Sequence, residues 1–211
     1  MKNIVIIGDS GHSKVIADIV NEHRDMRVYA KLDDKYDSQF IEDGIIKAPI
    51  SNIESLFNQD AELKVVLGIG MNAIREKIIM TYALSPEVFI SLIHPSAVVS
   101  PSARLGVGTV VMPNVTINAD SIIGDHVILN TGCVVEHDCV VGDFVHISPL
   151  AVITGGVHVG EGSHIGAGAS VIPGVQIGQW STVGAGATVI TTIGDRVTAV
   201  GNPAREIKRE G

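Results

Sequence analysis

Aromatic side chains are scarce in this chain: Phe, Trp and Tyr make up 4% of its residues, with a single Trp. A core centred on large rings is excluded, so burial must come from Val, Ile, Leu and Ala, within a hydrophobic content of 45%. Cysteine is nearly absent. The only two, Cys133 and Cys139, are expected in a reducing compartment, which argues against a disulfide. Basic charge is also in deficit, 15 Lys and Arg against 23 Asp and Glu, a net charge of −8. Neutralising phosphates needs clustered positive charge, so no nucleic-acid partner is expected. Long apolar runs are missing. No stretch approaches the ~20 residues of a membrane span, and MKNIVIIG is too short for the apolar region of a secretory signal. The expectation is a cytoplasmic protein with no membrane insertion.

What the chain does have is glycine, 23 of them in 211 residues, and a period. From residue 93 it divides into hexads that open with Ile, Val or Leu: IHPSAV, VSPSAR, LGVGTV, VMPNVT and so on through VITTIG, seventeen without an insertion. The fifth place is always Ala, Thr, Val, Ser, Cys or Ile. Such periods build a parallel β-helix. Each hexad supplies one short strand and one turn, three hexads make a triangular coil, and the first and fifth residues point inward. Seventeen hexads amount to under six coils, a prism about 27 Å tall at strand spacing. The pattern resembles the hexapeptide acyltransferases, which implies a left-handed helix and a homotrimer.

Residues 1–92 lack the repeat. KNIVIIG reads as a buried strand running into GDSGHS, with a helix over Lys14 to Asn21 behind it. RVYAKLDD reads as a second strand ending in two acids, KVVLGIG as a third, and MNAIREKIIMTYAL as a helix. This alternation predicts a small Rossmann-like α/β domain with a parallel sheet. The fold class is therefore α/β plus all-β: domain 1–92, then a β-helix domain over 93–211 with a short tail.

Ligands of open α/β sheets sit at the carboxyl ends of the strands. Here those ends carry Gly8 to His12, Asp33 with Asp34, and Gly68 to Asn72. Amides of a glycine turn at a helix start can hold phosphate, and a carboxylate at the second strand's end can accept hydrogen bonds from a ribose or base. GDSGHS is not GxGxxG, so NAD is not indicated. On the prism, VEHDCV breaks the pattern with polar residues. Of the ladder histidines only His137 has a carboxylate on both sides, Glu136 and Asp138. A neighbouring carboxylate fixes the imidazole tautomer and raises its pKa, as a general base requires. Taken alone, EHD reads first as a solvated corner and only second as a base.

The order GDSGHSKVIADI, LDD, GIGMNAIREKI, LNTGCVVEHDCVVGDFVHISP and closing GNPARE resembles the NeuD/PglD-like sugar O-/N-acetyltransferases over nearly the whole chain. The resemblance implies acetyl-CoA as co-substrate and a nucleotide-sugar partner, with the 1–92 domain holding the nucleotide sugar through Ser10, Gly11, His12, Asp33, Asp34 and Gly70. Asp9 and Ser13 stand where relatives often have small residues and receive no contact. It makes His137 the base and Asp138 the residue that increases its basicity. It gives His146 a contact with acetyl-CoA, and Ala167 and Ala185 main-chain contacts with the pantetheine arm. Glu136 stays unassigned; Gly155, 18 residues on from His137, is a candidate oxyanion donor. No metal is expected, because the stacked His146 and His164 have no third ligand in phase.

The expected activity is N-acetylation of a nucleotide-linked amino sugar, a UDP-4-amino-4,6-dideoxy sugar, by direct transfer. Sialic-acid or other sugar O-acetylation is the alternative within the same class, and a non-catalytic trimeric scaffold is the alternative outside it. Counting hexads in threes puts His137, His146 and Ala167 on three different sides of the triangle, so a site shared between neighbouring prisms is expected.

Overall fold

The computed structural model describes residues 1–209. The chain divides into two compact units, Met1–Leu92 and Ile93–Gly211.

In the first unit the order is β1 (Lys2–Ile7), α1 (Gly11–Glu22), β2 (Met26–Leu32), β3 (Phe40–Glu42), β4 (Ile45–Ala48), α2 (Ile53–Gln59), β5 (Lys64–Leu67) and α3 (Asn72–Tyr82). The sheet order is β3-β4-β2-β1-β5. All pairs are parallel except β3 with β4. That hairpin was not expected, although Asp43 and Gly44 (φ 51° and 76°) are the Asp-Gly pair a two-residue turn favours. Residues of β3 are too exposed to leave an alternating apolar pattern.

Helix α1 starts at Gly11, three residues before the expected Lys14, so His12 and Ser13 lie in its first turn. Its buried Ile16, Ile19 and Val20 form one stripe against β1 and β2. Each such side chain stabilises by roughly 1.5–3 kcal/mol; Ile16→Asp would break the contact. Gly68 makes the close approach possible, since a Cβ there would meet Ile6 Cγ2 at 2.7 Å and Ser13 Cβ at 2.8 Å. On the sheet's other face Val5, Ile7, Ala30, Leu32 and Ala48 form a core with Ile53 and Leu56 of α2 and Ile78 of α3.

The second unit is a three-faced ladder. Each strand pairs in parallel with the one 18 residues on. The first face stacks Val110–Val111, Ile128–Leu129, His146–Ile147, His164–Ile165 and Thr182–Val183. The second contains Thr116–Ile117, Val134–Val135, Val152–Ile153, Ser170–Val171 and Thr188–Val189; the third contains Ile122–Ile123, Val140–Val141, His158–Val159 and Gln176–Ile177. Each strand is the sixth residue of one hexad and the first of the next. First and fifth residues point inward: Ile147, Ile165, Val145 and Ala169 are all fully buried.

Most turns place a left-handed residue at the fourth place. Glycine fills many, such as Gly156 and Gly162, but His126, Asp138, Phe144, Leu150 and Trp180 also adopt φ between 53° and 59°. The ladder ends differently from its repeats. Val197–Val200 pairs in parallel with Thr182–Val183, then in antiparallel fashion with Arg205–Arg209. The Thr188 amide and carbonyl bond Gly201 and Ala204. No helix among the described residues is long and apolar enough to cross a membrane.

Candidate active site

His137 stands on the corner between the second and third faces. Its Nδ1 lies 2.7 Å from Asp138 Oδ2, and both side chains are well exposed, 62% and 66%. Asp138 reaches its chain neighbour because it sits in the left-handed region at φ 58°, which Asp tolerates better than most residues. The Asp138 hydrogen bond raises the His137 pKa; loss of solvent opposes it, and the charges of Asp138 and then Glu136 add to it. With Nδ1–H given to the carboxylate, Nε2 is left with its lone pair. Below the ring lies Gly155: a Cβ there would meet His137 Cε1 at 2.6 Å and Nε2 at 2.7 Å. Any larger residue would push the imidazole off its seat. Glu136 Oε2 accepts from the His137 amide at 3.4 Å.

His146 and His164 stack on the first face with centroids 5.0 Å apart and planes 20° apart. Asn130 Nδ2 contacts His146 Nε2 at 3.0 Å, and Ser148 Oγ contacts His164 Nε2 at 2.7 Å. Neither Asn130 nor Ser148 was expected, because each lies 16 residues from its histidine, off the 18-residue phase. Ala167 and Ala185 are exposed, and the Ala167 carbonyl accepts the Gly186 amide at 2.9 Å. Their small side chains leave the backbone there open to a ligand.

The count that put three residues on three sides needs correction. A strand spans two hexads, so His164–Ile165, paired to His146–Ile147, runs directly into Ala167. His146 and Ala167 therefore border one corner, between the first and second faces. His137 stands at the far edge of the second face. A groove of about 680 Å³ along the third face, lined by His158, Asp143, Glu161 and Asp195, includes none of these residues.

In the first unit a cavity of about 320 Å³ opens at the carboxyl ends of the strands. Gly8, Asp33 and Asp34 line it, with Ile69 and, from α3, Ile74, Ile78 and Tyr82. Ser10, Gly11, His12 and Gly70 are not in its wall. Asp33 takes the Asp9 amide on Oδ2 at 2.7 Å and the Lys35 amide on Oδ1 at 3.1 Å. Asp34 Oδ1 takes the Ile50 amide at 3.1 Å. Both acids thus stitch loops together as well as facing the cavity. Burial and then the charge of Arg75 push the His12 imidazole down to about 4, so it is neutral near pH 7. The Gly70 carbonyl accepts from Arg75 Nη1 at 2.9 Å.

Asp9 is the residue sequence reasoning passed over. Its carboxylate receives Lys31 Nζ at 3.1 Å, Tyr36 Oη at 2.5 Å and Lys47 Nζ in close contact. The Asp9, Lys31 and Lys47 side chains are 9%, 10% and 8% exposed. Burial would raise the Asp9 pKa, but the bonds from Lys47, Tyr36 and Lys31, with Lys31's charge, outweigh it and hold the carboxyl well below its ordinary value. The partners come from β2, β4 and the loop between β2 and β3, a convergence no linear spacing signals.

Residues 3–82 match the PglD N-terminal domain, and residues 120–155 and 156–191 match the bacterial transferase hexapeptide model of six repeats. PerB from Caulobacter crescentus, solved in complex with CoA and GDP-perosamine, is 39% identical; the match covers 99% of this chain and 98% of that one, with a TM-score of 0.89. The chain belongs to the PglD-like sugar acetyltransferases. Its prism is accordingly the left-handed β-helix of the hexapeptide superfamily. Among these acetyltransferases, the acetyltransferase domain of PglB from Neisseria gonorrhoeae, solved with acetyl coenzyme A, is 35% identical over 98% of this chain and 99% of that one, TM-score 0.87. UDP-N-acetylbacillosamine N-acetyltransferase of Bacillus subtilis is 46% identical over 112 residues, which span 53% of this chain and 52% of that relative.

Proposed function

We propose that this PglD-like protein transfers an acetyl group from acetyl-CoA to the amine of a nucleotide-linked amino sugar, a UDP-4-amino-4,6-dideoxy sugar. The observation that carries the proposal is the 2.7 Å contact between His137 Nδ1 and Asp138, which leaves Nε2 as an outward base. His137 takes a proton from the sugar ammonium, and the freed amine attacks the thioester carbonyl. An amide forms as the carbon–sulfur bond breaks, the remaining excess proton on the nitrogen passes to the departing sulfur, and CoA leaves as the thiol. The acyl group does not stop on the protein: Cys133 and Cys139 are fully buried, and burial pushes the Cys133 thiol up to about 12 and Cys139 upward.

The first unit holds the nucleotide in the Asp33–Asp34 cavity, with Ser10, Gly11, His12 and Gly70 on the loops beside it. The prism holds acetyl-CoA along the corner of His146, Ala167 and Ala185, and both substrates place the enzyme in the cytoplasm. The base and this corner stand at opposite edges of the second face, so the working site is shared between neighbouring prisms of a homotrimer. Exposure of His137, Ala167 and Ala185 in the single chain supports that arrangement.

Thiol release, measured across UDP- and GDP-linked 4-amino sugars and free sialic acid, tests the activity, with light scattering of the same sample for its mass. The expected outcome is turnover of a UDP-linked amine, an alkali-stable acetyl product and the mass of three chains. An alkali-labile ester on a hydroxyl would overturn N-transfer, and the mass of one chain would overturn the shared site.

A further inference from the structure

The corner turns of the prism close in two ways. In several, the fourth residue's amide bonds the first residue's carbonyl directly, as Ala151 does to Ser148 at 3.2 Å and Val157 to Thr154 at 3.3 Å. The turn that bears His137, residues 136–139, closes through a side chain from the coil below. Ser121 Oγ donates to the Glu136 carbonyl at 2.7 Å and accepts the Cys139 amide at 3.3 Å. The hydroxyl is fully buried and sits between the two ends of the turn. On the other side, Cys139 Sγ–H donates to the Thr154 carbonyl at 3.2 Å, and the His137 carbonyl accepts the Gly156 amide at 2.9 Å. On this corner the inward fifth residues run Ala103, Ser121, Cys139, Val157, Val175. The two with a polar side-chain atom are the one beneath the turn and the one within it.

We infer that Ser121 is a positioning residue for the base: its inserted hydroxyl sets the opening of the 136–139 turn and so the seat of the His137 ring over Gly155. Direct closure of that turn draws Glu136 and Cys139 together and re-aims the Cα–Cβ bond of His137 between them. A catalytic group displaced by about 1 Å can lose about 10²-fold in rate. Thr109 supplies an internal control. It makes the same pair of bonds, to the Gly124 carbonyl at 2.8 Å and from the Val127 amide at 3.1 Å, on a corner that bears neither His137 nor the cofactor residues.

The role rests on His137 being the base. The experiment measures kcat, both KM values and Tm for Ser121→Ala, Ser121→Thr and Thr109→Val. Alanine already occupies the fifth place at Ala151, Ala169 and Ala187, all fully buried, so Ser121→Ala is expected to fold. The expected result is a kcat about 10-fold lower with both KM values unchanged, restored by Ser121→Thr. Thr109→Val should lower Tm similarly and keep kcat. If Ser121→Ala does not fold, Ser121→Cys carries the same test, because the turn above Cys139 closes directly, Val157 amide to Thr154 carbonyl at 3.3 Å, and the same loss of kcat is expected. Full kcat in Ser121→Ala, or an equal loss in Thr109→Val, overturns the inference. An inactive His137→Ala beside a fully active Ser121→Ala removes Ser121 alone, whereas an active His137→Ala removes the base as well.

Discussion

The two units of the chain each centre on an aspartate paired with cationic or protonatable neighbours, and they use it in opposite ways. Asp9 is 9% exposed and held by lysines themselves nearly buried; Asp138 is 66% exposed and holds one exposed imidazole. A buried carboxylate locked by several donors keeps its charge at any working pH and acts as a joint between strands. An exposed one leaves its partner free to exchange protons with solvent and substrate, as turnover demands. Aspartate becomes scaffold or chemistry according to the water it keeps.

The sharpest way to break this comparison is to remove the proton acceptor. His137→Ala is expected to lower kcat/KM by about 10² to 10⁴, the usual worth of a general base, with Tm and assembly unchanged. Steady-state kinetics at saturating acetyl-CoA check it, and near-normal turnover would take His137 out of the mechanism.

Next comes the joint. Asp9→Asn leaves Lys31 buried without that counter-charge and Lys47 with only the exposed Glu42 at 3.7 Å, and breaking a buried pair this way costs about 3–5 kcal/mol. Urea unfolding should show that loss in the first unit. Because the folded-state pKa of Asp9 is lowered, its contribution is present above the ordinary carboxylate value near 4. It fades as pH falls toward the folded value. The gap between wild type and Asp9→Asn should therefore be constant at neutral pH and shrink only in acid. An unchanged midpoint would mean that the lysines reach water on their own.

The smallest effect is the most diagnostic. The Asp138 bond raises the His137 pKa, and the base works only when unprotonated, so the acid limb of kcat/KM lies above the ordinary histidine value near 6.5. Asp138→Asn should move that limb to lower pH and reduce the plateau about tenfold. A limb that stays in place would separate Asp138 from the titration.

The prism was legible because its period is enforced by inward residues at fixed places, and Ile147 and Val145 confirm both positions. The His137–Asp138 pair was legible because the two are chain neighbours. What escaped was contact across the period. Asn130 on His146 and Ser121 on the His137 turn lie 16 and 15 residues from their partners, and only the twist of the corner brings them together. In the first unit β4 escaped because IIKA is short, and β3 because it lies exposed at the sheet edge. Asp9 escaped because its lysines arrive from strands that nothing in the local sequence pairs.

A ladder in which every step repeats the last carries no instruction to stop. Its open end offers the amides and carbonyls that the next coil would use, and a second molecule's first coil could continue it into a fibre. The closing segment removes that option. After Val197–Val200 the chain turns back, and Arg205–Arg209 lies antiparallel along it, while Gly201 and Ala204 occupy the Thr188 amide and carbonyl. Reversed polarity presents an incoming parallel strand with the wrong hydrogen-bond register. A short closing segment thus keeps this end of the prism a terminus rather than the seed of a polymer.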